Sequence, residues 1–342
     1  MASMASLRTL SMTTAATAAR RIVAPRTVSM ALGTTSTQIQ VQSQSQRRGM
    51  ATEKQLANKI QSTKNIKKIT SSMKMVAAAR LKGEERRLAA SIPFNQWTYE
   101  MFSEPKFLEE ATFVDFPQKV LIVPFTSDKG LCGGINSFIS RGVRNMIAKL
   151  DEQSKQADVC VIGEKGRGQM QRMLTGNQIK RTCTDVVAPG NYTMASALST
   201  ELIKAGAETD YDAVIMVYNS YKNAAVYNQM YKVITPLKTG GEESETGGSS
   251  NEALAGYDFD SEKAESMSDL YEFIISTNLY HSFMDGAAAE QSARMTAMEG
   301  ASSNAGEMID KLTLQYNRAR QSRITTELIE IISGASALEK KK

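Results

Sequence analysis

The apolar positions of the last quarter of the chain repeat every three and four residues. Met267, Leu270, Ile274, Thr277, Met284, Ala288, Met295, Met298, Ala305, Ile309, Leu312, Tyr316 and Ala319 form one stripe. The register then slips by one, and Ile324, Leu328, Ile331, Ala335 and Leu338 carry the stripe onward. This spacing predicts one long helix with a seam along one side. The last proline is Pro236, so nothing interrupts that helix. Residues 261 to 338 would span roughly 115 Å at about 1.5 Å per residue. A globular domain the size of the middle of the chain has a radius of gyration of only about 16 Å. The helix must therefore project, and something outside its own domain must cover it.

A second stripe lies at 51 to about 91, through Leu56, Ile60, Ile66, Ile69, Met73, Val76, Leu81 and Leu88. Thr52 and Gln55 offer a capping box at its start, and Pro93 is the expected stop. This helix is about half as long as the other. Residues 51 to 90 carry ten Lys/Arg and three Glu, whereas 261 to 338 carry six Lys/Arg and eleven Asp/Glu. Opposite charge predicts an antiparallel coiled coil between the two. The difference in length predicts that a large part of the longer helix has no partner in its own chain.

Between the two stripes the texture changes. Val120–Val123, Val159–Ile162 and Ala213–Val217 read as buried strands. Helical stretches near 135–150, 164–174 and 192–207 separate them, which predicts a parallel or mostly parallel, Rossmann-like α/β sheet. Residues 224 to 234 alternate weakly and suit an edge strand ending at Pro236. The expected organisation is a leader over 1–50, an N-terminal coiled-coil helix over 51–92 and a connector over 93–118. A central α/β domain over 119–236, a surface loop over 237–258 and a C-terminal helix with its tip over 259–342 complete it. The fold class is α/β, a long antiparallel two-helix coiled coil carrying a Rossmann-like domain.

The formal charge of +5 misleads. Residues 1 to 50 hold six Arg, no Lys and no acid, among many Ser, Thr, Ala and Gln, which is the composition of an organelle transit peptide. Cleavage after Met50 would leave 35 basic residues against 36 acidic ones, so basicity says nothing about nucleic acid. No aromatic side chain interrupts 51–90 for base stacking. No apolar run is long enough for a transmembrane helix. Cys132, Cys160 and Cys183 are isolated and fit structural thiols. His281, the only histidine, sits at a seam position and reads as a packed residue.

The sharpest chemical motif is Ser127-Asp128-Lys129-Gly130-Leu131-Cys132-Gly133-Gly134, directly after the first strand. A glycine-rich turn there can cradle phosphate. However, the lysine precedes the glycines and neither GxxxxGK[ST] nor GxGxxG is present. A structural turn is the better reading. An α/β phosphate-binding enzyme using Asp128 and Lys129 is one rival, and a generic coiled-coil scaffold is another. Gln291, Ser302 and Arg323 interrupt the long seam together with His281, which suits a helix that touches several surfaces without gripping one. Ile331–Leu338 is uncharged, and an apolar tip needs a socket.

STKNIKKITSSMKMVAAAR from Ser62 resembles the N-terminal helix of the gamma subunits of F-type ATP synthases. EQSARMTAMEGASSNAGEMIDKLTLQYNRARQSRITTELIEIISGASAL from Glu290 resembles that family's C-terminal helix, and SDKGLCGGIN at 127–136 resembles its SDRGLCGxxN turn. The resemblance covers about 51 to 338. It implies a non-catalytic rotor with no cofactor, turning inside three alpha and three beta subunits. The α/β foot would stand on the membrane ring of c subunits with delta and epsilon subunits, without inserting into the membrane or binding nucleic acid. It implies that Met73 and Lys74 meet the levers of the beta subunits. Gln291, Arg294, Arg320, Gln321, Thr325 and Glu327 would face the hexamer, and Ile331, Ile332 and Leu338 would sit in an apolar sleeve. Plastid members carry a regulatory cysteine pair; here no two cysteines lie close enough in sequence. That implies the matrix side of the mitochondrial inner membrane. The chain ends Glu339-Lys340-Lys341-Lys342, beyond the family's usual end.

Overall fold

The computed structural model describes residues 53–101, 104–108, 116–174, 178–186, 190–209, 211–236 and 262–339. The expected leader, Thr52, the 237–258 loop and the last three lysines lie outside these residues.

The central sheet is built from runs of aliphatic residues that are apolar on both faces. In chain order the elements are α1 (Glu53–Gln96), α2 (Thr98–Met101), β1 (Lys106–Phe107), β2 (Lys119–Pro124), α3 (Ile135–Glu152) and β3 (Gln156–Ile162). There follow α4 (Glu164–Met173), β4 (Ile179–Cys183), α5 (Tyr192–Thr209), β5 (Ala213–Asn223), β6 (Val226–Ile234) and α6 (Lys263–Glu339). The strand order is β1-β6-β5-β2-β3-β4. Strands β5, β2, β3 and β4 run parallel, and β6 and β1 pair antiparallel at one side.

Alternate residues of each strand point to opposite faces. On β2, Val120 and Ile122 pack on Ile139, Val143, Met146 and Leu150 of α3. Leu121 and Val123 face the other way, onto Ala195 and Leu202 of α5 and onto Ile274, Ile275 and Leu279 of α6. The foot thus has three layers, and the base of α6 is part of one of them.

The expected weak edge strand is the inner strand β6. The two-residue β1 covers its outer side, with Lys106 opposite Tyr231. The opposite edge is β4, whose sequence carries Lys180 and Arg181 and too few apolar residues to read as a strand. Pro93 does not stop α1, which continues to Gln96. The proline costs one helical hydrogen bond, and Ser91 and Thr98 hydroxyls bond nearby carbonyls on either side of it.

α1 and α6 pair antiparallel. Glu53 bonds Arg323, Lys74 bonds Glu299, and Ser91 meets His281, so one number falls as the other rises. The pairing runs further than helix length alone suggests. The foot covers the base of α6 and α1 covers it up to Arg323, leaving about 24 Å of bare helix beyond.

The seam of α1 differs from the apolar stripe. Its buried positions are Leu56, Thr63, Thr70 and Ala77, at strict heptad spacing, followed by Leu81, Leu88, Ser91 and Asn95. Ile66, Ile69, Met73 and Val76 face outward, and Ile69 is 55% exposed. The side chains nearest α6 are small, so the backbones come close. Thr63 and Thr70 satisfy their hydroxyls on the carbonyls of Lys59 and Ile66, at 2.8 and 3.0 Å, which lets them be buried.

Candidate functional site

The candidate site is the surface of the two-helix shaft, from its anchorage in the foot to its bare end. The anchorage consists of polar pins spaced along one helix. Ser276 of α6 shares a hydrogen with Ser199 of α5 at 2.6 Å. Asp285 accepts the Tyr221 backbone N–H at 2.6 Å. Ser292 donates to the Ala224 carbonyl at 2.9 Å. Arg294 donates to Glu290, to Gln291 Oε1 at 3.0 Å and to the Gly130 carbonyl at 3.4 Å. Tyr221 also donates to Glu85 of α1. These groups meet α5, the end of β5 and the turn after it, and the Gly130 turn in succession, which fixes the register of α6 as an apolar face alone would not.

Gln291 and Arg294 belong to this anchorage. Gln291 is buried and accepts from Arg294, which is nearly buried and is held against the foot through the Gly130 carbonyl. An outward-facing shaft position does not describe them in this structure. Sequence spacing could not reveal this for Arg294, because the Gly130 turn it meets is 164 residues away.

The Ser127–Gly134 turn serves the same packing. Asn136 Oδ1 accepts the Ser127 N–H at 3.0 Å and Asn136 Nδ2 donates to Ser127 Oγ at 2.7 Å. Asp128 Oδ1 accepts the Glu164 N–H at 2.8 Å, so a carboxylate already occupies the start of α4 where a phosphate would otherwise bind. Gly163 at φ 99° lets the chain pass against Thr126; a Cβ there would lie 2.2 Å from the Thr126 carbonyl oxygen. These contacts support the structural reading of the turn. Among the described residues no group of His, Cys, Asp and Glu could hold a metal ion. Nor is any described helix long and apolar enough to cross a membrane.

His281 is buried and contacts Ser91 Oγ through Nδ1 at 3.4 Å. Burial, with Lys232 nearby, pushes its pKa down to about 4, so it is neutral at pH 7. Burial raises the Cys160 thiol to about 12 and raises Cys183 as well, which keeps both unreactive.

Higher on the shaft the side chains turn to solvent. Met73 is 41% exposed, and Lys74 beside it holds Glu299 at 2.6 Å across the coil. Arg320, Gln321, Thr325 and Glu327 are exposed, with Thr325 Oγ1 donating to the Gln321 carbonyl and Glu327 pairing Arg323 at 3.4 Å. Every side chain from Arg320 to Leu338 is exposed, including Ile324, Leu328, Ile331, Ile332 and Leu338, the last at 73%. A bare helix of this composition is marginal in water. The outward row of Ile66, Ile69, Met73 and Val76 extends the same kind of surface down α1. Hydrophobic spacing puts all four in the coil's stripe, and only Met73 is assigned an external contact by the family resemblance. Their offset from the Leu56–Thr63–Thr70–Ala77 heptad is the signal that separates the two faces.

A family model described as ATP synthase matches residues 52–338. The mitochondrial ATP synthase subunit gamma of Drosophila melanogaster is 39% identical over 295 residues, covering 86% of this chain and 93% of that one. The mitochondrial subunit gamma of Ipomoea batatas is 38% identical, covering 82% and 84%. The ATP synthase gamma chain of Pelagibacter ubique is 35% identical, covering 84% and 100%. A chain in the central stalk and c-ring structure of Tetrahymena thermophila mitochondrial ATP synthase superposes with a TM-score of 0.55 at 28% identity, covering 68% and 99%. A chain of the Euglena gracilis mitochondrial ATP synthase shares the fold at a TM-score of 0.64, covering 84% and 94%.

Proposed function

The chain belongs to the gamma-subunit family of ATP synthases, and from that membership we propose how this mitochondrial rotor subunit of the central stalk works. It is a stalk subunit and not the catalytic one; we take the further step that it catalyses nothing itself. The observation that supports this is the unbroken α6, built into the foot at one end and bare and apolar at the other. Such a helix is a lever whose two ends must act on different bodies.

The foot takes up rotation from the c-ring, together with delta and epsilon subunits docked on it, at the matrix face of the inner membrane. A cleaved leader over 1–50 brings the chain there. The shaft turns inside three alpha and three beta subunits. One asymmetric shaft meets three chemically identical subunits differently, so each is biased toward a different conformation, and turning the shaft exchanges the biases. Energy enters as protons cross the membrane, at about 2.3 kcal/mol per charge per 100 mV. Met73 and Lys74 supply the contact with the beta levers. Arg320, Gln321, Thr325 and Glu327 face the hexamer, with Gln291 and Arg294 holding the shaft base beneath it. Ile331, Ile332 and Leu338 run in an apolar sleeve. Affinity purification of the tagged chain from mitochondria tests the reading. The expected result is recovery of a nucleotide-binding hexamer and the c-ring; recovery of the chain alone, with nucleotide bound to it, would support the phosphate-binding alternative.

A further inference from the structure

One buried cation joins three elements and has no described acid in contact with it. Lys232 lies in β6, opposite Met216 of β5, and is 3% exposed. Its Nζ donates to Thr98 Oγ1 of α2 at 2.8 Å and to Asn278 Oδ1 of α6 at 2.8 Å. It also lies 4.5 Å from the centre of the Tyr99 ring. Both oxygens are themselves fixed: Thr98 Oγ1 donates to the Asn95 carbonyl at the end of α1, and Asn278 Nδ2 donates to the Ile274 carbonyl. A single amine therefore ties the sheet to the ends of both shaft helices. Neither acceptor is charged, so the ammonium form of this amine carries a desolvation cost that no opposite charge in contact offsets.

We propose that Lys232 is the pin of a pH-sensitive joint through which the foot holds both shaft helices. The reading rests on the rotor function above for its consequence, but not for its geometry. The neutral amine and the ammonium both donate hydrogen bonds, yet only the ammonium carries a desolvation cost. The surroundings offer it little compensation. Tyr99 from α2 lies against it and His281 from α6 within its electrostatic reach, while Asp285 from α6 acts on Tyr99 and on Tyr218 from β5, and Glu104 acts on Tyr99. His281 is neutral at pH 7, and burial keeps both phenols protonated by raising Tyr218 strongly and Tyr99 less. Asp285, raised by burial to about 6, spends its carboxylate on the Tyr221 N–H and the Ser220 side chain. Burial accordingly lowers Lys232 from 10.5 to about 7.

The opened joint exposes the amine and binds a proton below about pH 10, whereas the closed joint binds one only below about 7. Opening therefore becomes easier as pH falls across that window and levels off once both forms are protonated.

Hydrogen–deuterium exchange of the assembled complex, corrected for the intrinsic pH dependence of exchange, reads this directly in the segments 91–99 and 274–285. Opening is expected to rise on the order of tens-fold from pH 9 to pH 7 and less than about twofold from pH 7 to pH 6. Lys232→Met removes the charge and Asn278→Asp supplies a counter-ion; each should flatten the profile. Segments far from the joint, such as 140–150 in α3, should show no difference between variants. A wild-type profile flat over this range, or two variants that both follow the wild type, would overturn the joint. A pH-dependent joint abolished in Lys232→Met, with proton pumping per ATP unchanged in that variant, would uphold the joint and show that rotor coupling does not depend on it.

Discussion

Lys74 donates to Glu299 across the coil while standing beside the exposed Met73. Both charges are solvated, so the pair contributes less than about 1 kcal/mol. Lys74→Glu should leave the amount of assembled complex nearly unchanged and lower coupled ATP synthesis. The double exchange Lys74→Glu with Glu299→Lys restores the pair with reversed polarity. If synthesis stays low in it, the external contact matters; if synthesis recovers, the coil pair was the cause. His281 and Asp285 respond to pH in opposite senses. Burial lowers His281 to about 4, so the fold loses stability as pH falls from about 6.5 to about 4. Burial raises Asp285 to about 6, so its ionisation costs stability as pH rises from about 4 to about 6. Relative to wild type, His281→Asn should gain stability as pH falls through that range and Asp285→Asn should gain it as pH rises, as read by thermal unfolding of the complex.

The coil shows what sequence can and cannot reveal about an element. Heptad spacing located both long helices, and charge pointed to their antiparallel pairing, because period and charge are local properties of a chain. Which face of α1 turns inward was not legible from hydrophobicity, because Thr63, Thr70 and Ala77 are among its buried positions. Larger residues would hold the backbones apart. Ala77 is 1% exposed, and Ala77→Leu should destabilise the coil by about 1–3 kcal/mol through overpacking. Thr70→Val should cost far less, since the Thr70 hydroxyl bonds only its own helix. Thermal unfolding separates the two. The strand β4 was missed because its Lys180 and Arg181 suit an exposed edge and hide the strand period. The foot contact of Arg294 was equally out of reach, since it depends on a turn distant in sequence.

At the scale of the molecule, the foot anchors one end of α6 by apolar layers and polar pins, α1 stiffens it as far as Arg323, and the remainder stands bare. Stiffness and bareness assign different roles to the two ends. Deleting Ile331–Lys342 removes no described contact within the chain, so the rest should fold and assemble. The loss should appear as weaker seating, read as rotor dissociation from the hexamer. Complete failure of assembly would show that the tip is structural. The rotor function requires that foot and shaft turn as one body, with the shaft inside the hexamer. It is tested most directly by fixing the hexamer to a surface, attaching a bead to the foot and adding ATP. Unidirectional rotation of the bead, pausing three times per turn in keeping with a threefold ring, is the predicted result. ATP hydrolysis with a bead that stays still would contradict it.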